Sequence, residues 1–316
     1  MLEEFADWLS YSVLGLAKES PIGAAVNFFI YDSIKVTILL AVTVFVVGVI
    51  RTFITPEKVK KWLGGKNEGI GNLLAALLGV PTPFCSCSAI PLFIGFVEAG
   101  VPLGITFSFL IASPTINEIA ATMLFAMFGW QIAALYIFSG LVIATVAGII
   151  IGRLKLENQV EDFVYKIKAK KPAQNKMTWT ERLEFGISES KSITLSVLPY
   201  LLVGIAIGGF IHGYAPADFL VSIAGKDNPL AVPIVVLIGI PLYSNAAGLV
   251  PIVGVLTSKG MAIGTALAFM MSVVGLSLPQ MIILGKVIKP KLLIAYIAVM
   301  FISIVITGYI FNAILG

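Results

Sequence analysis

Apolar residues run through this chain in long stretches, not in the narrow stripes of a soluble helix. Ile34 to Ile50, Ile132 to Ile151, Ile193 to Ile211 and Leu292 to Leu315 are such runs. A hydrocarbon core about 30 Å thick takes roughly 20 helical residues at about 1.5 Å rise each. The pattern therefore predicts spanning helices. Two other apolar stretches are interrupted. The run from Ile70 to Gly79 meets Pro81, Pro83, Cys85, Cys87 and Pro91 before apolar character resumes, and Leu103 to Phe128 is broken by Ala112-Ser-Pro-Thr-Ile-Asn-Glu118. Ten helical residues rise only about 15 Å, half the core. Ile70 to Val97 thus predicts two half-helices meeting at the midplane as a re-entrant hairpin, and Leu230 to Leu256 predicts its counterpart. At the start of the chain Phe5, Trp8, Leu9, Val13 and Leu16 recur at helical spacing beside Glu3, Glu4 and Asp7. Residues 1–30 read as an amphipathic helix at the membrane interface, and without a basic n-region a cleaved signal peptide is not expected.

Sliding the chain against itself by 160 residues aligns Gly48 with Gly208, Gly79-x-Pro81 with Gly239-x-Pro241, Pro91 with Pro251, Gly104 with Gly264, Tyr136 with Tyr296 and Gly148 with Gly308. The matches favour Gly and Pro, which dictate backbone shape. They predict transmembrane repeats over 31–156 and 191–316, joined by a linker over 157–190. Lys and Arg crowd the stretch from Arg153 to Arg182, which by the positive-inside rule is cytoplasmic. The loop after the first span is basic (Arg51, Lys58, Lys60, Lys61, Lys66), whereas its second-half equivalent holds only Lys226. The loop at Lys286, Lys289 and Lys291 is basic, whereas its first-half equivalent near Gly129 is uncharged. Equivalent loops on opposite sides require an odd number of crossings per half. The expected fold is an all-α membrane protein of two inverted repeats, each with three spanning helices plus a broken or re-entrant hairpin, about eight segments by simple count. The alternative is a kinked but unbroken helix in each half, giving eight spans and parallel repeats.

Composition sharpens this picture: 58% of residues are hydrophobic and 12% charged, and mean hydropathy is +1.00. The bilayer is the first expected partner. A net charge of +4 implies no nucleic-acid partner. The only cysteines, Cys85 and Cys87, are one residue apart, which excludes a disulfide scaffold. No P-loop sequence is present, and the single histidine, His212, makes a His-based metal site improbable.

The candidate chemistry sits in the interruptions. X-Pro steps at Pro81 and Pro83 disfavour helix and withhold donors, and unwound backbone at membrane depth survives only against protein or a wet cavity. A helix starting near Cys85 would favour thiolates at its N-terminus, good ligands for soft metals and metalloids. Regular helix would hold the two sulfurs about 200° apart, whereas a turn at the helix start brings both to one ligand. Cys85 and Cys87 are therefore the candidate metal or metalloid ligands, with Ser86 between them. In the second half Asn245 and Ala247 replace the cysteines, and Asn245 and Ser244 are candidate hydrogen-bonding groups across the pseudo-twofold axis. In the other break Ser113, Thr115 and Asn117 line a candidate substrate site. Glu118 is the candidate proton carrier, since desolvation raises a carboxylate toward a useful range; capping of free N–H groups after Pro114 is its simpler role. Asp32 and Lys35 can pair or snorkel, and Glu98 is expected at the interface.

The run Pro81-Thr-Pro-Phe-Cys-Ser-Cys-Ser-Ala-Ile-Pro-Leu, followed by Ala112-Ser-Pro-Thr-Ile-Asn-Glu, resembles the predicted permeases of the ArsP and YraQ type over nearly the whole chain. That resemblance implies a prokaryotic inner-membrane, multi-pass permease without enzymatic activity or cofactor. It also implies export of trivalent organoarsenicals, with Cys85 and Cys87 as substrate thiols and Ser113, Pro114, Thr115 and Asn117 in the second signature. The chemistry is compatible: a monosubstituted As(III) has two exchangeable positions for two thiolates, and Cu(I) is also held by two sulfurs. The expectation is secondary-active, proton-coupled export of a soft, thiol-reactive solute; self-association as a homo-oligomer is compatible with it. Two alternatives stand beside it: a thiol or sulfur-compound membrane enzyme or importer, and a channel or membrane subunit of a larger complex.

Overall fold

The computed structural model describes residues 2–18, 20–52, 69–80, 86–116, 118–161, 178–214, 223–225, 228–242 and 246–315. The protein is an all-α membrane protein. Helix α1 (Leu2–Asp7) passes into a π-helical turn (Trp8–Val13), and α2 (Pro21–Arg51) follows. The first long helix thus begins well ahead of residue 31. The reason is local: Ser20 Oγ accepts from Gly23 N–H at 3.0 Å and Pro21 occupies the first helical position, a strong start signal. Then come α3 (Ile70–Gly79), α4 (Ser86–Glu98), α5 (Leu103–Thr115), α6 (Glu118–Phe128) and α7 (Trp130–Arg153). Helix α8 (Trp179–Tyr214) opens the second half, followed by α9 (Ala231–Gly239), α10 (Ala246–Ser258), α11 (Ile263–Gly275), α12 (Leu278–Leu284) and α13 (Pro290–Leu315). A capping box starts α8: Thr178 N–H donates to Glu181 Oε2 at 2.7 Å and Glu181 N–H to Thr178 Oγ1 at 3.4 Å. Those bonds hold the exposed Glu181 carboxyl below its usual range.

Among the described residues, Pro21–Val46, Trp130–Arg153, Ile263–Leu284 and Pro290–Leu315 are long and apolar enough to cross a bilayer. Leu103–Thr115 and Ala120–Phe128 pass the same test together but are bent by 48°, and Ile70–Gly79 and Leu249–Ser258 are too short. Helix bounds recur at the 160-residue offset: α4 and α10 span equivalent residues end to end, as do α5 and α11.

Packing recurs with them. Helix α5 lies against α3, α4 and α7, and α11 against α9, α10 and α13. The α5–α7 and α11–α13 approaches are set by glycine: a Cβ on Gly104 would sit 2.5 Å from the Gly148 carbonyl oxygen, and one on Gly264 2.6 Å from that of Gly308. No side chain fits between these backbones. Where equivalent helices touch, their contacts run antiparallel. Near one end of the α2–α8 pair Arg182 donates to the Thr52 carbonyl at 2.8 Å, and farther along Ser190 Oγ donates to the Ala41 carbonyl at 2.6 Å. Val160, beyond the end of α7, bridges to Ile288, just before α13 begins. Lys289 N–H donates to the Gln159 carbonyl at 2.7 Å, so the start of the basic linker and the 286–291 loop lie together.

The core crosses from one half to the other. Phe93 on α4, Phe107 on α5 and Tyr296 on α13 form a fully buried aromatic chain with centroid separations of 5.1 and 5.8 Å. Two equivalent tyrosines hold the broken helices. Tyr136 Oη donates to the Thr115 carbonyl at the end of α5, and Tyr296 Oη donates to the Gly275 carbonyl at the end of α11, at 2.9 Å. Tyr296 also accepts from Gln280 Nε2 at 3.0 Å.

Two outcomes follow for thermal unfolding of the detergent-solubilised protein. Gly104→Leu and Gly264→Leu each lower the midpoint, because overpacking a full interface costs about 1–3 kcal/mol or more. Tyr136→Phe strands one buried carbonyl, about 1–3 kcal/mol. Tyr296→Phe strands a carbonyl and the Gln280 amide together and is the more damaging of the two; equal midpoints contradict this.

Candidate functional site

Helix α3, which leads into the first signature, meets the second signature in the fold. Helix α3 stops at Gly79, ahead of Pro81, because two prolines in three residues cannot continue it. A Cβ on Gly79 would lie 2.8 Å from Ala112 Cβ and 3.0 Å from Ser113 N, so the end of α3 abuts the Ser-Pro-Thr stretch of α5. Ser113 and Thr115 are buried at 0% and 1% exposure. Within α5, Pro114 has no N–H to give the Leu110 carbonyl, and the helix ends one residue later. The chain bends at Ile116 and resumes as α6 at Glu118.

The second half repeats the arrangement with other residues. A Cβ on Gly239 would lie 2.7 Å from Ser272 Oγ, and Ser272 Oγ itself donates to the Val236 carbonyl at 2.6 Å. The two breaks of this half are stitched by backbone: Leu278 N–H, at the start of α12, donates to the carbonyl of Ile240 at 2.8 Å, immediately before Pro241. The halves also interlock. Helix α4, which follows the Cys-x-Cys break, packs on α12, and α10 packs on α6, where a Cβ on Gly254 would approach Met127 Cε at 2.6 Å.

Of the sequence-derived site residues, Ser113 and Thr115 are placed together in the buried interior. Cys85, Asn117, Ser244 and Asn245 lie outside the described residues, as do the side chains of Ser86, Cys87 and Glu118; Ser86 and Cys87 open α4 and Glu118 opens α6. Among the described residues no group of three His, Cys, Asp or Glu side chains could hold a metal. Just beyond the start of α4, Ala89 and Ile90 are buried at 0% and 3% exposure.

Several residues in this region escaped the sequence reading. Gln280 is fully buried, Ser277 is buried at 1%, and both belong to the α11–α12 break. The available signal was Ser277-Leu-Pro-Gln280, a Ser-x-x-Gln capping pattern, whose side chains make no cap bonds here. Glu98, expected at the interface, is buried at 4% exposure. Lys35 donates to Tyr31 Oη at 3.1 Å and lies 4.8 Å from the same ring's centroid, while Asp32 is buried at 5%.

Comparison with known proteins gives a consistent answer. The UPF0718 protein YcgR of Bacillus subtilis is 26% identical over 64% of this chain and 70% of its own length. The UPF0718 protein YraQ of Escherichia coli is 25% identical over 94% of this chain and 83% of its own. The UPF0718 protein MJ0584 of Methanocaldococcus jannaschii is 24% identical over 90% of this chain and 94% of its own. No solved structure matches. Residues 21–313 match the family described as ArsP_1, predicted permease. With nearly the whole chain covered, from the first long helix to the last, this all-α membrane protein belongs to the ArsP_1 family of predicted permeases.

Proposed function

We propose that the chain is a secondary-active permease that exports a soft, thiol-reactive solute, a trivalent organoarsenical or a soft metal ion, through Cys85 and Cys87. One observation carries the reading. The Pro-rich stretch that leads into both cysteines follows an α3 end, at Gly79, that is pressed against Ala112 and Ser113 among buried residues. Broken backbone in that position is tolerated in membranes where it lines a site.

The transport frame is an inverted repeat. Helix α2, the bent α5–α6 pair and α7 would cross the membrane, with α3 and α4 entering and leaving on one side; α8, α11–α12 and α13 would cross, with α9 and α10 as the opposite hairpin. The antiparallel contacts of α2 with α8 and of the α7 end with the α13 start support this, because parallel repeats would run equivalent helices the same way. Arg182, the start of the linker and the 286–291 loop would form a basic cytoplasmic face of an inner-membrane protein. Leu2, Phe5, Trp8, Val13 and Leu14, each more than a third exposed, would rest at the interface.

The binding chemistry closes without an oxidant. A monosubstituted arsenous acid exchanges its two As–OH bonds for two As–S bonds to Cys85 and Cys87, and the thiol protons leave with the hydroxides as two waters. Release reverses the exchange. Ser113, Thr115, Asn117, Ser244 and Asn245 would hydrogen-bond the solute, Ser86 would set the spacing of the sulfurs, and Glu118 would carry the coupling proton.

In proteoliposomes, Cys85→Ser and Cys87→Ser each reduce uptake of a monosubstituted trivalent arsenical at least tenfold in protein that still elutes as a folded species. Unaltered flux in both variants rules out the thiol site. Flux through the unmodified protein follows an imposed pH gradient, whereas Glu118→Gln no longer responds to it; a Glu118→Gln protein that tracks the gradient normally removes the carboxylate from the mechanism.

A further inference from the structure

We propose a second site, for a hard monovalent cation of the sodium type, at the place where the end of α5 meets the α11–α12 break. Its ligands are Thr115 Oγ1, Ser277 Oγ and Gln280 Oε1. Proton accounting fixes the orientation of the glutamine. Tyr296 has one hydroxyl hydrogen and gives it to the Gly275 carbonyl at 2.9 Å, so toward Gln280, at 3.0 Å, it can only accept. The amide must therefore present Nε2 to Tyr296 and turn Oε1 away.

That oxygen has no hydrogen-bond partner although Gln280 is fully buried. Ser277 Oγ, three residues earlier at the break, and Thr115 Oγ1 are in the same condition at 1% exposure each. The fold links them. Thr115 Oγ1 is 3.4 Å from where a Cβ on Gly275 would stand, Gly275 is tied through Tyr296 to Gln280, and Ser277 is two residues beyond Gly275. A buried polar atom without a partner is costly, and three where two helix breaks meet call for an occupant.

The chemistry selects the class of occupant. All three oxygens can accept, and an amide oxygen can do nothing else. The carboxyl ends of α5 and α11 meet here, each with the partial negative charge of a helix C-terminus, and neither helix has a basic residue in its last turn. The ligands are hard oxygens, which disfavours Cu(I) and other soft ions, and they are uncharged, which disfavours Ca2+ and Mg2+ with their need for carboxylates. Neutral oxygens at broken backbone suit a monovalent ion. The site shares Thr115 with the solute-binding reading but neither Cys85 nor Cys87, and its existence does not rest on that reading.

The test is binding of radioactive 22Na+ to the purified, full-length protein on scintillation beads, in choline chloride, with unlabelled Na+, Li+ and K+ as competitors. The expected result is saturable binding displaced by unlabelled Na+, weakened at least fivefold by Ser277→Ala and by the isosteric Thr115→Val, and unchanged in Cys85→Ser. Both variants should melt in choline as the unmodified protein does, while Na+ raises the midpoint of the unmodified protein alone. Absence of saturable binding, or equal affinity in both variants, overturns the site. Loss of Na+ binding with thiol-dependent arsenical flux intact sinks this inference alone; thiol-independent flux with Na+ binding intact sinks the substrate reading alone.

Discussion

A helix broken inside a bilayer leaves backbone groups that no water can satisfy, and the rest of this structure is organised around meeting that demand. At the end of α5 the Thr115 carbonyl takes the Tyr136 hydroxyl; at the end of α11 the Gly275 carbonyl takes that of Tyr296. Both tyrosines are fully buried, and each is carried by the helix that packs antiparallel on the broken one. That packing needs backbones close together, which is why Gly104 faces Gly148 and Gly264 faces Gly308. The Leu278 N–H to Ile240 carbonyl bond does the same work between the two breaks of the second half. Closeness at the glycine end of each pair and a tyrosine cap at the other thus fix where a half-helix stops.

This division of labour explains which parts of the fold were legible in the residues. Breaks were readable because Pro81, Pro83 and Pro114 remove donors, and the 160-residue offset was readable because Gly and Pro recur where backbone shape recurs. The tyrosine caps were not. Tyr136 and Tyr296 align at that offset, but their acceptors are carbonyls 21 residues away, and nothing in a side-chain pattern records which carbonyl a helix break has freed. The start of α2 was written in Ser20-Pro21 and was hidden by Asn27, Asp32 and Lys35, which interrupt the apolar run that follows.

The candidate site was legible in part for a related reason. Ser113 and Thr115 stood out beside Pro114, and both are buried, Ser113 against the end of α3 and Thr115 against Gly275. Gln280 was hidden by the very comparison that aligned the two halves, since its first-half equivalent is Ala120 and the matching positions drew attention to Leu278 opposite Glu118. A polar residue that breaks the symmetry is invisible to a search for symmetry. Burial of Glu98 was missed because a charge at a hairpin end reads as interfacial until neighbouring helices cover it.

The asymmetry itself has a physical consequence on the reading proposed above. An inverted repeat can alternate between two outward shapes by exchanging the conformations of its halves, and residues on the pseudo-twofold axis keep their place while the halves trade. Thr115 and Gly275 are equivalent residues that lie against each other, so the ends of α5 and α11 mark a point on that axis. Chemistry there need not be duplicated to serve both faces of the membrane. One half can supply soft thiols and a carboxylate while the other supplies the oxygens of Ser277 and Gln280, because each ligand set is presented to either side by motion of the scaffold around it. Symmetric glycines, prolines and tyrosines beside unmatched Cys85, Cys87, Glu118 and Gln280 are what that arrangement requires: backbone shape must repeat, and the groups that bind need not.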